Sequence, residues 1–170
     1  MSRLIMGKFA LGKLALGVCA LLLSQSSPAI ADNKPVAKKE GFVIVYEVPN
    51  KTYQEAREAL DAAIEERGMV ISAVSHIKDM IDRTSVDLGY SAAPLYQTGG
   101  ETVLFCKADL SQNMMRQNPH NIALCPYGIS VYTLADHPKS VFLSYREPVQ
   151  ADYYKPIQQL LDDIIMSVAE

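Results

Sequence analysis

The sequence predicts an α+β domain, a two-layer sandwich with a mostly antiparallel sheet and helices on one face. Three observations point there. Short β-branched and aromatic runs alternate with segments of helical period. The last two runs flank a five-residue turn, as the arms of a hairpin do. Two of the helical segments are apolar along one side only.

In chain order, Phe42–Val48 (FVIVYEV) lies between Gly41 and Pro49 and reads as a strand. Its near-continuous apolarity suggests a central place in the sheet. Thr52, with Glu55 three residues on, has capping-box spacing and opens a helix that Gly68 stops just after Arg67. Tyr53, Ala56, Leu60, Ala63 and Ile64 share its apolar side, and the charged residues fall opposite. Met69–Val74 is a second strand. Ile77 to about Leu88 reads as a helix with Ile77, Met80, Ile81 and Leu88 turned inward, closed by Gly89. Residues 90–100 read as a loop, with Gly99-Gly100 as a turn. Thr102–Cys106 is a third strand, and Leu110–Asn118 a short helix ended by Pro119. Ile122–Leu124 and Ile129–Leu134 bracket Cys125-Pro126-Tyr127-Gly128. Ile129–Leu134 pairs with Val141–Tyr145 across Ala135–Lys139. A last helix, about Asp152–Ala169, turns Ile157, Leu160, Leu161, Ile164, Ile165 and Val168 inward.

The N-terminus reads differently. Arg3, Lys8 and Lys13 precede an apolar run, Leu14–Leu23, and a polar stretch that ends in Ala29-Ile30-Ala31. That is the build of a secretory signal peptide, with cleavage expected between Ala31 and Asp32. The run is far short of the ~20 residues that span a bilayer. Val18 is too bulky to precede a lipidated cysteine at Cys19. The expected organisation is therefore a signal peptide at 1–31, a flexible lead-in at 32–40 and a single domain at 41–170. The product is expected to be exported, periplasmic or secreted, and free of the membrane after processing. Cleavage removes three of sixteen basic residues and none of nineteen acidic ones, so the net charge goes from −3 to −6. An acidic surface repels phosphate backbones, and nucleic acid is not an expected partner.

Several motifs recur in a set order. They are TYxEAxxxLxxAIxERG in Thr52–Gly68, His76 after a strand, LFCKA in Leu104–Ala108, MxxNP in Met115–Pro119, LCPYGISVY in Leu124–Tyr132 and SYREP in Ser144–Pro148. Over about residues 41–150 this order resembles the domain of unknown function 302 family. The resemblance implies a compact α+β fold with an antiparallel sheet and, in some members, self-association, so a homodimer is an expected partner. It implies no catalytic residue, since the family's activity is not established. Many members have a Gly-Asn-Pro turn where this chain has Cys106-Lys107-Ala108. Others, exported ones, carry cysteines near Cys106 and Cys125, and this chain resembles those.

Reactive side chains concentrate between Cys106 and Cys125, the two cysteines left after processing. Three readings compete. An oxidising location makes them a disulfide candidate. Thiolate, thioether and imidazole from Cys106, Cys125, His76, His120, Met114 and Met115 would suit copper, or zinc without the methionines. A lowered thiol pKa at Cys106, which precedes a helix beside Lys107, would suit redox catalysis. There is no C-x-x-C, no P-loop, no dinucleotide fingerprint and no G-x-S-x-G elbow. The first functional expectation is an exported module that binds a small ligand, a metal or a protein partner in the cell envelope, sited around Cys106, Cys125, His76 and His120. A thiol redox enzyme using Cys106 and Cys125 and a dimeric structural protein with a Cys106–Cys125 bridge are the alternatives.

Overall fold

The computed structural model describes residues 34–90 and 93–170. The expected signal peptide and the Ala31–Asp32 cleavage point lie outside them. The strands are β1 (Lys38–Glu40), β2 (Val43–Pro49), β3 (Val70–Ser75), β4 (Tyr96–Cys106), β5 (Tyr127–Leu134) and β6 (Ser140–Arg146). The helices are α1 (Tyr53–Glu65), α2 (Ile77–Thr84), α3 (Ala108–Gln117) and α4 (Lys155–Ala169), with 3₁₀ turns at Pro119–Leu124 and Asp152–Tyr154. One sheet holds all six strands in the order β1-β2-β6-β5-β4-β3, and every neighbouring pair is antiparallel. The α+β sandwich read from the sequence is the fold.

Local chemistry accounts for the helix boundaries. Thr52 accepts from the Glu55 backbone N–H while the Glu55 carboxylate accepts from the Thr52 N–H, a closed capping box that contributes about 1 kcal/mol. At the other end Gly68 takes φ +72°, and the N–H groups of Gly68 and Met69 bond back to the carbonyls of Glu65 and Ile64. Ala56, Leu60, Ala63 and Ile64 of α1 and Ile157, Leu161, Ile164, Ile165 and Val168 of α4 are buried. They pack on the sheet side formed by Val103, Phe105, Ile129, Val131, Val141 and Leu143. A large aliphatic side chain buried in this way contributes ~1.5–3 kcal/mol.

Asp162 ties the layers together. Tyr46 of β2 and Tyr145 of β6 both donate their hydroxyls to one carboxylate oxygen of Asp162 on α4, at 2.6 and 2.5 Å. Burial first, and then the Asp162 carboxylate, raise the pKa of both tyrosines, so they stay protonated donors.

Four expectations are corrected. The last three residues of the lead-in form β1, an edge strand that pairs with Val43–Val45. The β2 strand is not central: it is second from that edge, and β6 and β5 hold the middle. Its near-continuous apolarity arises because Ile44, Tyr46 and Val48 face the helices while Val43 and Val45 are half-buried on the other side. Residues 96–100 are not loop but the start of an eleven-residue β4, whose register with β5 is irregular between Tyr96 and Gly100. Within it Gly99 lies against the ring of Tyr53, where a Cβ would come within 2.2 Å of that ring. The inward side expected of α2 is not buried. Ile77 and Ile81 are half-covered, but Met80 is 44% exposed, Leu88 lies beyond the helix end at 67% exposed, and α2 buries no residue fully. The helix is two turns long and lies beside β4, too short to bring that stripe into the core.

Replacing Asp162 by Ala removes two charge-assisted hydrogen bonds between the layers. The variant is expected to lose about 2–4 kcal/mol of unfolding free energy in urea denaturation, with the m-value unchanged.

Candidate functional site

The structure divides the sequence-derived candidates. It pairs Cys106, the last residue of β4, with Cys125, which follows the 3₁₀ turn. The sulfurs are at disulfide distance, with Cα atoms 6.5 Å apart. Cys125 is also 3.7 Å from the Ser111 hydroxyl, which sits 2.9 Å from the Tyr127 hydroxyl. The pair therefore closes the α3 segment onto the sheet. The other four candidates do not converge on it. Met114 is fully buried in the core and Met115 half-buried against it. The His120 side chain is exposed on the 3₁₀ turn, and its backbone N–H bonds Asn118. His76 follows the far end of β3 from Val70, the residue opposite Cys106. Among the described residues no group of three or more His, Cys, Asp or Glu side chains stands where it could hold a metal ion.

His76 belongs to another cluster. Its Nδ1 lies 2.6 Å from one Glu101 oxygen, and Arg57 Nε donates to the other at 2.8 Å. Arg57 also pairs with Asp61 one turn along α1. Burial works to raise the Glu101 pKa, but the bonds from Arg57 and His76, with the nearby Tyr53 hydroxyl, outweigh it and hold the carboxyl below the usual range. Burial, and then the Glu101 charge, push the Tyr53 hydroxyl up. The cluster joins α1, the β3–α2 corner and β4. It offers one exposed imidazole, and among the described residues no serine or cysteine side chain is hydrogen-bonded to it.

The arrangement with the shape of a site lies on the other face of the sheet, among residues the sequence pattern did not single out. Side chains alternate along β5. Tyr127, Ile129, Val131 and Thr133 are buried on the helix side, so Gly128, Ser130, Tyr132 and Leu134 point the other way. Strand register then aligns Thr102 of β4, Ser130 of β5 and Ser144 of β6 directly across three strands. The Thr102 and Ser130 hydroxyls are 2.8 Å apart. One rung along, Tyr132 lies opposite Phe142 and stacks on it, with centroids 5.6 Å apart, while Tyr96 meets Tyr132 edge to face at 5.8 Å. Two adjoining hollows of about 350 and 360 Å³ share Thr102, Ser130 and Ser144. The first is walled by Tyr96, Tyr132, Ile77 and Leu95, and its one charged residue, Glu101, is already engaged by Arg57 and His76. Burial raises the Tyr132 pKa, so its hydroxyl stays neutral. The sequence did carry a hint. On an ordinary solvent-facing sheet side the alternate positions are charged, whereas here they read Thr102, Leu104 and Gly128, Ser130, Tyr132.

Two measurements follow from this geometry. Glu101 carries a depressed pKa, so its bonds stabilise the fold above the ordinary value of 4.5 and that contribution is lost as pH falls through the lower folded value. Glu101→Gln is expected to cost about 2 kcal/mol at pH 7, with the gap to wild type narrowing below pH 4.5 in urea titrations run across that range. The double change Cys106→Ser with Cys125→Ser opens a loop of sequence separation 19. It is expected to cost about 3 kcal/mol against the oxidised parent and nothing against the parent held in reductant.

A family model described as a domain of unknown function, DUF302, matches residues 44–169. No curated protein matches the chain. Among solved structures, the crystal structure of an uncharacterized conserved DUF302 protein from Bacillus stearothermophilus superposes with a TM-score of 0.52 at 13% identity. The match covers 76% of this chain and 94% of that one, a likeness of fold. The matched family span runs from β2 through α4 and takes in five of the six strands, both long helices and the cysteine pair, and the chain belongs to the DUF302 family.

Proposed function

We propose that the mature domain is a binding module that works outside the cytosol, and that its site is the hydroxyl-and-aromatic groove on the sheet face away from α1 and α4. The observation that carries this is the in-register row Thr102–Ser130–Ser144 beside Tyr96 and Tyr132. Three hydroxyls on a rigid sheet donate and accept along one line, and the tyrosines offer flat apolar walls next to it. In the first hollow the charged wall residue, Glu101, is already engaged by Arg57 and His76, while Arg146 and Glu147 line the second. The chemistry of the first suits a small uncharged ligand with one flat apolar surface and hydrogen-bonding groups along its edge. Export rests on the basic, apolar and small-residue order of residues 1–31, and the cysteine pair at disulfide distance supports it, since such bridges persist in oxidising compartments. A binding reading is preferred to a catalytic one because, among the described residues, His76 is engaged by Glu101 and no serine or cysteine side chain is hydrogen-bonded to it.

The test is an NMR titration of the ¹⁵N-labelled mature domain with phenol and, separately, methyl β-glucopyranoside. Shifts confined to the amides around Thr102, Ser130, Tyr132 and Ser144 are expected for at least one of them. Ser130→Phe, which fills the groove, is expected to weaken that response at least about tenfold, 1.4 kcal/mol. Absence of shifts along the row with both probes, or an undiminished response in Ser130→Phe, overturns the reading.

A further inference from the structure

Strands β5 and β6 are neighbours in the sheet, yet they pair over three rungs only: Ser130–Ser144, Val131–Leu143 and Tyr132–Phe142. Beyond Ser130 they part. Gly128 and Tyr127 stay paired with Leu104 and Phe105 of β4, while Tyr145 and Arg146 stay paired with Ile44 and Val43 of β2. The sheet is therefore split near its middle, and there its two halves give each other no ladder partners. The second hollow, about 360 Å³, lies at this split. Gly128 lines it from one half, Val43 and Arg146 line it from the other, and the row Thr102–Ser130–Ser144 adjoins it where the halves meet. Its charge differs from that of the first hollow. Glu147, its one acid, pairs with Lys39. Arg146 is exposed and, among the described residues, has no hydrogen-bond or ion-pair partner. Tyr154, from the turn before α4, brings a hydroxyl that is likewise without a hydrogen bond there. Burial and then the neighbouring Tyr127 raise the Tyr154 pKa while the Arg146 charge works against them, so the guanidinium stands near that hydroxyl.

We propose that the split between β5 and β6 is a carboxylate pocket, with Arg146 as its anchor and Tyr154 and Ser144 as its further donors. Arg146 follows Ser144 by two residues, so the two share one side of β6. A guanidinium offers a planar pair of N–H donors that a carboxylate matches oxygen for oxygen. The Tyr154 and Ser144 hydroxyls can donate to the same group. One unpartnered cation beside an acid that Lys39 already neutralises balances a single negative charge, which favours a monocarboxylate over inorganic phosphate. The volume is at the lower end of small-molecule pockets, so the acid is small. The rest of the domain is acidic and does not steer anions in, so affinity rests on these contacts and is on the order of millimolar. The pocket goes beyond the reading of the groove given above. The two hollows share the hydroxyl row but differ at their far walls, where the Tyr96–Tyr132 side offers flat apolar surface and the split offers charge.

The test is an NMR titration of the ¹⁵N-labelled mature domain, at pH 7 and constant ionic strength, with sodium propionate, propionamide and inorganic phosphate in turn. Propionate carries the charge and has no flat ring for the tyrosine walls. It is expected to give saturable shifts at the amides of Gly128, Ser144, Arg146 and Tyr154. Propionamide, the same shape without the charge, and phosphate are each expected to act there at least tenfold more weakly. Arg146→Gln, at an exposed position with no partner to lose, is expected to weaken propionate at least tenfold and to leave any phenol response around Tyr96 and Tyr132 unchanged. Should that variant unfold, Arg146→Lys serves in its place, keeping the charge without the paired donors, and is expected to weaken propionate at least threefold. Propionate bound at the split with neither phenol nor the glucoside bound at the row supports this proposal and overturns the neutral-ligand reading. No propionate shifts at those four amides, a response to propionamide or phosphate equal to that for propionate, or a folded Arg146 variant that binds like wild type overturns the carboxylate pocket.

Discussion

The register across β4, β5 and β6 is the constraint on which both faces of this domain depend. Because side chains alternate at period two, one pairing that sets Val103 opposite Ile129 and Thr102 opposite Ser130 decides two things together. It sends Val103, Ile129, Val131 and Leu143 into the helix-covered core, and it lines up Thr102, Ser130 and Ser144 on the other side. A slip of one residue would bury three hydroxyls under α1 and α4 and expose the core. The apolar burial that stabilises the fold is thus also what holds the groove's floor in line.

The remaining contacts fix the ends of that register. On the β6 side, Asp162 holds Tyr46 and Tyr145 to α4. At the C-terminal end of β4, the Cys106–Cys125 pair and the Ser111–Tyr127 contact secure the α3 segment where β4 leaves the sheet and β5 enters it. At the N-terminal end, Glu101 is gripped by Arg57 from α1 and His76 from the end of β3. These polar groups are partnered across elements, and such contacts favour one arrangement over its near neighbours.

The layers were legible in the sequence because their signals are local. The α1 capping box, the Gly68 stop and the apolar stripe of α4 depend on residues within a few positions of each other, and each held. The cysteine pair was legible as a candidate from compartment and count, and the structure brings it together. What escaped depends on neighbours distant in sequence. Residues 96–100 lack strand character, since Gln97, Thr98, Gly99 and Gly100 have little apolar side chain, and only pairing with β5 makes them a strand. The α2 stripe has helical period but no facing layer, and period alone does not say whether a stripe meets a core. The hydroxyl row could not be read at all before the strand partners were known, since Thr102, Ser130 and Ser144 are unremarkable one at a time. The histidine and methionine candidates are not brought together with the cysteines, because Met114 packs in the core and His76 lies beyond the far end of β3, placements that residue type alone does not reveal.

The groove and the His76–Glu101 cluster share Glu101 and are also linked through two glycines. Gly99 and Gly100 sit side by side in β4 and are approached from opposite sides. The Tyr53 ring occupies the space a Cβ of Gly99 would take, and Lys78 and the Tyr96 ring come within 3.2 and 3.3 Å of where a Cβ of Gly100 would be. No pair of larger residues would let α1 close on one face while Tyr96 folds down on the other. The irregular register between Tyr96 and Gly100 gives Tyr96 the slack to reach the edge of Tyr132. Tyr53 and Glu101, one engaging Gly99 and the other held by His76 and Arg57, hold the strand on either side of Gly100. The wall of the groove is therefore set in part by contacts on the helix side of the sheet, and a change at Tyr53 reaches the groove through β4 without touching it.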